Sequence, residues 1–440
     1  MSHAHDRHIS VQELARVEGE GAMHVRVTDG IVEHVELQIY EPPRFFEALL
    51  RGRQFHEPVD ITARICGICP VAYQLSAINA IEALCRVSVP DPIRQLRRLL
   101  YCGEWIESHV LHVFLLHAPD FLGYQSAIDL AADDKGLVET ALRLRKAGNT
   151  LLEVIGGRAI HPINVKVGGF YRAPTRRALE ALVPELEWAR DAALDAVRLV
   201  AGFDFPELHQ HHRYVALRPT EEDRPPGASG YPIERGRIVA TDGLDIPPDA
   251  WPEHFAEHQV PHSTALHAVT ADGATYLVGP AARFALNADR LSPAAKQVAD
   301  EVGLTPPERN PFRSIIIRAV ETVHAFDEAL NLIAAYEEPE RPAVEVTPVA
   351  GTGHGVSEAP RGILYHRYTI TADGTITDAV IVPPTSQNQR AVEADLADFV
   401  QAHLDLDDEA LQWQCEQAIR NYDPCISCST HFLDLRMERR

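Results

Sequence analysis

Four cysteines form two Cys-x-x-Cys pairs, one near each end of the 440-residue chain. The first pair is Cys66 and Cys69, and the second is Cys425 and Cys428. Each pair brings two sulfurs within reach of one metal ion, and two pairs supply four soft ligands suited to nickel, zinc or an iron-sulfur unit. The spacing therefore predicts a fold that joins its two ends around something bound by thiolates.

Two simpler uses of these thiols fit the sequence less well. Ligand type alone favours structural zinc. Zinc modules, however, usually separate their cysteine pairs by roughly 15 to 20 residues, whereas Cys69 and Cys425 are 356 positions apart. A core of this size also needs no zinc ion to stabilise it. A thioredoxin-like redox motif needs one pair in a strand-to-helix context, which Gly67, Pro70 and Pro424 do not provide. The other cysteines, Cys85, Cys102 and Cys415, have no paired spacing and are predicted to be small buried apolar residues.

Composition limits the classes of function. The chain has 41 Lys and Arg against 63 Asp and Glu, a net charge of -22, so its surface repels nucleic acid and anionic lipid. Its seven cysteines are an odd number, which disfavours a disulfide framework. We find no signal sequence and no apolar run long enough to span a membrane, so we expect a cytoplasmic protein.

Hydrophobic periodicity predicts an α+β fold that is mainly helical. Alternating apolar residues on either side of Asp29-Gly30 and of Asp373-Gly374 predict two β hairpins. Apolar residues at steps of three and four predict long helices over 92–117, 137–156, 176–203, 311–336 and 407–420. We expect these helices to form a central bundle with peripheral antiparallel hairpins and sheets, and the N- and C-terminal segments to meet at the metal site.

We divide the chain into four parts of one interleaved unit. Residues 1–60 hold the first hairpin and lead into the first cysteine pair, and residues 61–217 form a helical core. Residues 218–310 are a β-containing insertion, and residues 311–440 hold a helix, the second hairpin and the second cysteine pair. The stretches 218–232 and 337–342, rich in Pro, Gly and charge, are predicted to be loops.

Several motifs follow one another in order along most of the chain. Besides the two cysteine pairs, they are Arg-Val-Glu-Gly at 16–19, Phe-Glu at 46–47, Gly-Gly-Arg-Ala-Ile-His-Pro at 156–162, Gly-Gly at 168–169, Ala-Pro-Arg-Gly at 359–362 and Pro-Thr-Ser-Gln-Asn at 384–388. With this set the sequence resembles the large, catalytic subunit of nickel-iron hydrogenases.

The resemblance implies a binuclear nickel-iron centre with carbon monoxide and cyanide bound to the iron. Cys66 and Cys425 would be terminal nickel ligands, and Cys69 and Cys428 would bridge the two metals. By the same resemblance, the metal-bound cyanides accept hydrogen bonds from Arg361 and Thr385 and lie against an apolar wall shaped by Pro360 and Pro384. The alternative for Arg361 is a surface salt bridge, which its Pro-Arg-Gly context disfavours.

The implied reaction is heterolytic cleavage of hydrogen, with the proton passing to the Cys425 thiolate and then to Glu18. Partial burial can raise the pKa of a carboxyl group enough for this task. The alternative is that Glu18 is an ordinary exposed residue beside a glycine turn. A separate magnesium ion is implied at Glu47, the backbone carbonyl of Ile381 and His431, although imidazole is a less usual partner of magnesium.

Other residues near the implied centre have supporting roles or depart from the family pattern. His109 and His112 lie on one face of the 92–117 helix and are expected to support the site without binding metal. Tyr73 stands where the family often has histidine, and it can donate a hydrogen bond toward sulfur but cannot hold a positive charge. Together with Ser108 and Gln387, this departure resembles the cytoplasmic bidirectional branch coupled to NAD(P), sometimes called sulfhydrogenase.

Electrons must leave through a partner, because the chain has no Gly-x-Gly-x-x-Gly fingerprint and too few thiols for further clusters. The resemblance implies a small subunit with iron-sulfur clusters and diaphorase subunits that bind flavin and NAD(P). It also implies a maturation endopeptidase that removes residues 432–440 after His431. Two alternatives remain: a subunit like the quinone-site subunit of complex I, which lacks the four cysteines, and a zinc-stabilised scaffold.

Overall fold

The computed structural model describes residues 7–430 and shows a mixed α+β fold, as the sequence predicts. The strands are β1 (Arg7–Val11), β2 (Gly21–Thr28), β3 (Ile31–Ile39), β4 (Val165–Lys166), β5 (Gly169–Phe170), β6 (Val215–Arg218), β7 (Arg237–Ala240), β8 (Asp245–Ile246), β9 (Phe255–His258), β10 (His267–Thr270), β11 (Gly351–Ala359), β12 (Gly362–Ile370) and β13 (Ile376–Val382).

Helices make up more of the described chain than strands do. They are α1 (Phe46–Leu50), α2 (Pro58–Thr62), α3 (Pro70–Cys85), α4 (Asp91–Val110), α5 (Ala118–Leu122), α6 (Ala127–Asp133), α7 (Lys135–Gly156), α8 (Arg176–Glu180), α9 (Val183–Ala201), α10 (Trp251–His254), α11 (Pro280–Asn287), α12 (Pro293–Glu301), α13 (Ser314–Ala335), α14 (Pro384–Ala402), α15 (Asp408–Arg420) and α16 (Ile426–Ser429). A π-helix spans Leu111–His117, and short 3-10 turns span Pro248–Ala250, Ala288–Arg290 and Pro311–Arg313.

The sheets are small and antiparallel. Three of them have three strands each, β1-β2-β3, β6-β7-β8 and β11-β12-β13, and β4-β5 and β9-β10 form two-stranded pairs. Both predicted hairpins are confirmed, as β2-β3 and β12-β13. Asp29 and Gly30, which join β2 to β3, both have positive φ, at 52° and 77°, as a type I′ turn requires.

The long helices pack against one another: α4 lies against α7 and α13, and α13 also lies against α9. Two predicted helices are interrupted. The helix predicted over 92–117 becomes a π-helix after Val110, shortly before Pro119, which has no N–H to continue the regular ladder. The helix predicted over 176–203 stops at Glu180 and restarts at Val183, because Pro184 fits only a first helical turn. The division of the chain into four parts stays a prediction.

Helix α3 and strand β11 lie unusually close together. A Cβ atom added to Gly355 would overlap the backbone carbonyl oxygen of Ser76, and one added to Gly353 would overlap that of Ala80. The strand therefore lies directly on the helix. Because α3 begins just after Cys69 and β11 leads into Pro360 and Arg361, this contact sets the first cysteine pair beside the arginine.

Gly355→Ala is expected to lower the free energy of unfolding by about 1–3 kcal/mol, because the added methyl group must push β11 away from α3. Calorimetry of the purified protein measures this loss. The control is Gly136→Ala, whose Cβ would meet Asp134 Oδ1 at an ordinary 3.6 Å. A Gly355→Ala protein as stable as the Gly136→Ala protein would contradict the close approach.

The two ends of the described chain meet. Glu18 and Cys425 form a parallel β-bridge, and the Ile426 N–H donates to the carbonyl oxygen of Glu18 at 2.9 Å. The Arg44 N–H donates to the carbonyl oxygen of Thr430 at 2.7 Å. Residues 66–69 and 425–428 are thereby brought together. None of the helices within residues 7–430 has the length and apolar character needed to cross a membrane.

Candidate metal centre

The two cysteine pairs occupy similar local positions. Cys66 lies in the turn after α2, and Cys69 immediately precedes α3. Cys425 immediately precedes the short helix α16, which contains Cys428. Each pair therefore begins or adjoins a helix N-terminus, where partial positive charge favours thiolates.

The four sulfurs form one buried cluster. They lie within 4.8 Å of one another. Cys66 Sγ is 3.4 Å from Cys425 Sγ, Cys69 Sγ is 3.4 Å from Cys428 Sγ, and the sulfurs of Cys425 and Cys428 are 2.7 Å apart. All four side chains are almost fully buried and none forms a disulfide. The structure thus assembles the predicted four-thiolate ligand set.

The electrostatics of the cluster fit a bound cation. Hydrogen bonds from the neighbouring thiols, that of Cys425 first, lower the pKa of Cys66, whereas burial raises the pKa of Cys425. Four thiolates cannot all be ionised in a buried space unless positive charge compensates them. Soft sulfur donors supply sites for nickel, iron or zinc, and the donor set therefore fits the nickel-iron centre that the resemblance implies.

Arg361 lies buried in the hairpin between β11 and β12. Its Nη2 donates to Asp423 Oδ1 at 2.9 Å and its Nε to the Asp423 carbonyl oxygen at 2.7 Å, so the surface salt bridge is ruled out. Within residues 7–430 its Nη1 is buried without a hydrogen-bond partner. Burial opposes its charge, but Asp423 and the cysteine sulfurs raise its pKa well above the usual value. Arg361 is thus a buried cation beside the cysteines, and its Nη1 can still donate a hydrogen bond.

Asp423→Asn is expected to lower the free energy of unfolding by about 3 kcal/mol, because it leaves the buried charge of Arg361 without its carboxylate. The φ of Asp423 is 50°, and asparagine tolerates this conformation as aspartate does, so the backbone is kept. Chemical denaturation measures the change. Asp242→Asn, which breaks a solvent-exposed ion pair with Arg213, serves as the control, and equal losses in the two variants would contradict the argument.

Thr385 and the two prolines lie around the same cluster. Pro384 and Thr385 form the first turn of α14, and Thr385 Oγ1 accepts from the Cys425 N–H at 3.0 Å. The hydroxyl keeps its own hydrogen for another acceptor. Pro360 precedes Arg361, and its carbonyl oxygen accepts from Arg283 Nη2 at 2.8 Å.

Glu18 contacts the second cysteine pair directly. Its Oε2 accepts from Cys425 Sγ at 3.1 Å and from the Ser427 N–H at 3.0 Å. Burial raises the pKa of this carboxyl group above its usual value. Glu18 is therefore partly buried and bonded to a cysteine, unlike the exposed residue of the alternative interpretation.

Two of the three residues predicted to bind magnesium lie together. Glu47 Oε1 accepts from the Ile381 N–H at 2.7 Å. His431 lies outside the described residues, as does the tail 432–440. Burial, with Glu47 next in importance, raises the pKa of Glu257, which places a second carboxyl group near Glu47. The magnesium site itself stays a prediction.

The two histidines expected to support the site and the three residues that depart from the family pattern are all buried. His109 Nε2 lies 3.0 Å from Glu321 Oε2, and His112 Nε2 donates to the Arg420 carbonyl oxygen at 2.7 Å. The Tyr73 hydroxyl donates to the Cys428 carbonyl oxygen at 3.3 Å, and Gln387 Nε2 donates to the Ile363 carbonyl oxygen at 2.6 Å. Within residues 7–430, Ser108 Oγ has no hydrogen-bond partner.

Sequence reasoning missed several residues that hold the site. Glu104 accepts from the Val71 N–H at 2.5 Å and the Ala72 N–H at 3.1 Å, fixing the start of α3 beside Cys69. Asp423, which accepts two hydrogen bonds from Arg361, is part of the Asp-Pro-Cys motif, but the motif did not indicate this role. Glu41 and Ser427, bonded to each other, carry no sequence signal.

Comparison with known proteins agrees with this geometry. The profile of the family described as nickel-dependent hydrogenase matches residues 44–141 and 266–431. The chain belongs to this family. Among the nickel-dependent hydrogenases it is 34% identical to sulfhydrogenase 1 subunit alpha of Pyrococcus furiosus, over 97% of this chain and 98% of the relative. It is 32% identical to sulfhydrogenase 2 subunit alpha of the same organism, over 97% and 100%.

Solved structures of hydrogenases show the same fold. An NAD+-reducing [NiFe]-hydrogenase in the H2-reduced state is 27% identical, with a TM-score of 0.86 over 97% of this chain and 99% of that one. The Ni-Fe-Se hydrogenase of D. vulgaris Hildenborough is 23% identical, with a TM-score of 0.77 over 97% and 100%. At that identity the second likeness concerns the fold alone. The resemblance stated from the motifs is confirmed.

Proposed function

We propose that this chain is the catalytic subunit of a nickel-iron hydrogenase and that it cleaves hydrogen reversibly into protons and electrons. The observation that carries the proposal is the buried cluster of four cysteine sulfurs, with Glu18 bonded to one of them and Arg361 beside them. Family membership supports the same function.

The chain's own residues would hold the metals. Cys66 and Cys425 would be terminal nickel ligands, and Cys69 and Cys428 would bridge nickel and iron. When bound, the centre supplies the polarisation of hydrogen and accepts its two electrons. The unpartnered Nη1 of Arg361 and the hydroxyl of Thr385 would donate to cyanides on the iron, whose remaining ligand would be carbon monoxide.

The proton would leave along hydrogen-bonded groups of the chain. Cys425 Sγ holds the proton first and Glu18 Oε2 receives it across 3.1 Å. A carboxyl group whose pKa is raised by burial can both accept and release a proton near neutral pH. Ser427 donates its N–H to Glu18 and its hydroxyl to Glu41 Oε2 at 2.9 Å, so Glu41 is the next carboxylate outward.

A magnesium ion would lie at Glu47, the carbonyl of Ile381 and His431. Glu47 and Ile381 are already in contact, and Glu257 adds a carboxyl group nearby. Carboxylate and carbonyl oxygens are the hard ligands that magnesium prefers. The ion would brace β13 against the end of the chain that carries the second cysteine pair.

Electrons would pass to a small subunit with iron-sulfur clusters and then to subunits that bind flavin and NAD(P). The likeness to the NAD+-reducing hydrogenase and to the two sulfhydrogenase alpha subunits supports this branch. A maturation endopeptidase that removes residues 432–440 and a cytoplasmic location stay predictions. The complex I alternative is disfavoured because the four cysteines are present and assembled.

The test is isotope exchange by the purified complex under deuterium in ordinary water, followed by mass spectrometry. We expect formation of HD and H2, because the reaction needs only the metal centre and a proton route and no electron acceptor. Infrared bands of metal-bound carbon monoxide and cyanide should accompany it. A nickel-loaded complex that forms no HD would overturn the proposal.

A further inference from the structure

A second group of metal-ligating side chains comes from elements that the cysteine centre does not use. It consists of His262, His267 and Glu393, each of which offers one ligand atom within 4.8 Å of the others. His262 lies in the loop between β9 and β10, His267 is the first residue of β10, and Glu393 is on α14. The group thus joins a loop and a strand to a long helix.

Glu393 lies between the two imidazoles. His262 Nε2 donates to Glu393 Oε1 at 2.8 Å, whereas His267 Nδ1 is 3.9 Å from Glu393 Oε2, too far for a hydrogen bond. His267 is only 3% exposed, and within residues 7–430 its Nε2 has no hydrogen-bond partner. Besides Glu393, the imidazole of His267 has the Gln389 side chain as a polar neighbour, and one of its ring nitrogens is available to bind a metal ion.

A second carboxylate lies near the group. Glu36 Oε1 lies 3.9 Å from His262 Nδ1, the nitrogen that faces away from Glu393. Glu36 is itself held at 2.6 Å by His34 Nε2 and at 2.6 Å by Gln38 Nε2. At 3.9 Å this carboxylate is too far to hydrogen-bond the ring of His262, but its negative charge favours a cation at the group.

We propose that His262, His267 and Glu393 bind one Zn²⁺ ion, with water in the remaining position. Two imidazoles and a carboxylate form a donor set that zinc favours, whereas magnesium and calcium prefer oxygen ligands alone. Glu393 and Glu36 supply two negative charges that balance the ion. The side chains of His262 and Glu393 are 17% and 14% exposed, so the ion can enter from solvent.

The bound ion has a structural task beyond hydrogen cleavage. It ties the loop and β10 to α14, whose first turn bears Thr385 and contacts Cys425. It also draws in β3, since the Leu37 N–H donates to Glu393 Oε1 at 2.9 Å. Zinc at this position stabilises the packing of the first sheet and β10 on the helix that begins at the nickel-iron site.

The test is a zinc titration of the purified, nickel-loaded complex against a chromophoric chelator. We expect the wild-type complex to bind one more zinc per large subunit than the double variant His262→Gln, His267→Gln. The control His209→Ala removes an exposed histidine elsewhere and should keep the wild-type number. Nickel content reports that the variant is folded, because the substituted residues are outside the cysteine cluster. Equal zinc numbers in the wild type and the double variant overturn the proposal.

A second measurement does not depend on the variant folding. Zinc-edge X-ray absorption of the wild-type complex, loaded with one equivalent of zinc, should show nitrogen and oxygen neighbours at about 2.0–2.2 Å, including the imidazole signature. A shell made of sulfur, or a complex that retains no zinc, shows that the three residues form a hydrogen-bonded cluster that takes no metal.

Discussion

Glu18→Gln is expected to keep nickel at the wild-type level and to lower the rate of hydrogen/deuterium exchange by about 100-fold or more. The amide preserves the size of the side chain and an acceptor for the Ser427 N–H. It cannot take the proton from Cys425 Sγ, which Glu18 contacts at 3.1 Å. The measurement is HD formation by mass spectrometry at matched nickel content.

The control for this variant is Glu20→Gln, two residues along the chain, where the side chain is exposed. It should exchange like the wild type. Near-normal exchange in Glu18→Gln would remove Glu18 from the proton route. Loss of nickel in the same variant would instead mean that the carboxylate positions the second cysteine pair through its contacts with Cys425 and Ser427.

Cys425→Ser is expected to reduce the nickel content about tenfold or more. Substituting a residue that only hydrogen-bonds to a metal ligand already lowers metal affinity by about tenfold or more, and replacing the ligand itself should lower it at least as much. A hydroxyl is a harder and weaker donor than a thiolate and suits nickel poorly. The substitution keeps the size of the side chain, and the N–H that donates to Thr385 Oγ1 remains. Metal analysis of the purified complex measures the loss.

Cys85→Ser is the matched control, because Cys85 is a free, half-buried cysteine outside the cluster. It should retain nickel. Cys85 packs against the hydrophobic core but is only half-buried, less than predicted, whereas Cys102 and Cys415 are buried as expected. A Cys425→Ser protein with full nickel would show that three sulfurs suffice and would assign Cys425 another role.

The sequence was most informative where a pattern had a direct physical cause. Asp29-Gly30 predicted a hairpin because its φ angles must be positive, and the amphipathic spacing predicted the helix Lys135–Gly156. Helix α3 was missed because it is buried on almost every side, so its apolar residues have no periodicity. Periodicity also could not show that Pro184 would break one predicted helix in two.

The site was predictable where its residues sit in motifs. The four cysteines, Glu18 and Arg361 were named from sequence, and the structure brings them together. The residues that hold these side chains in place were not named from sequence, because their contacts join positions that are distant along the chain. Glu104 lies 33 residues from the Val71 N–H that it holds. His262 and Glu393 are 131 residues apart, and only the fold shows that they meet.

The most direct test of the central claim is metal quantification of the purified complex by plasma mass spectrometry. The four-cysteine centre predicts one nickel per large subunit, lost in Cys425→Ser and kept in Cys85→Ser. The zinc proposed at His262, His267 and Glu393 would be additional and unaffected by either cysteine variant. A complex that contains zinc and no nickel, with that zinc lost in Cys425→Ser, would contradict the nickel-iron assignment.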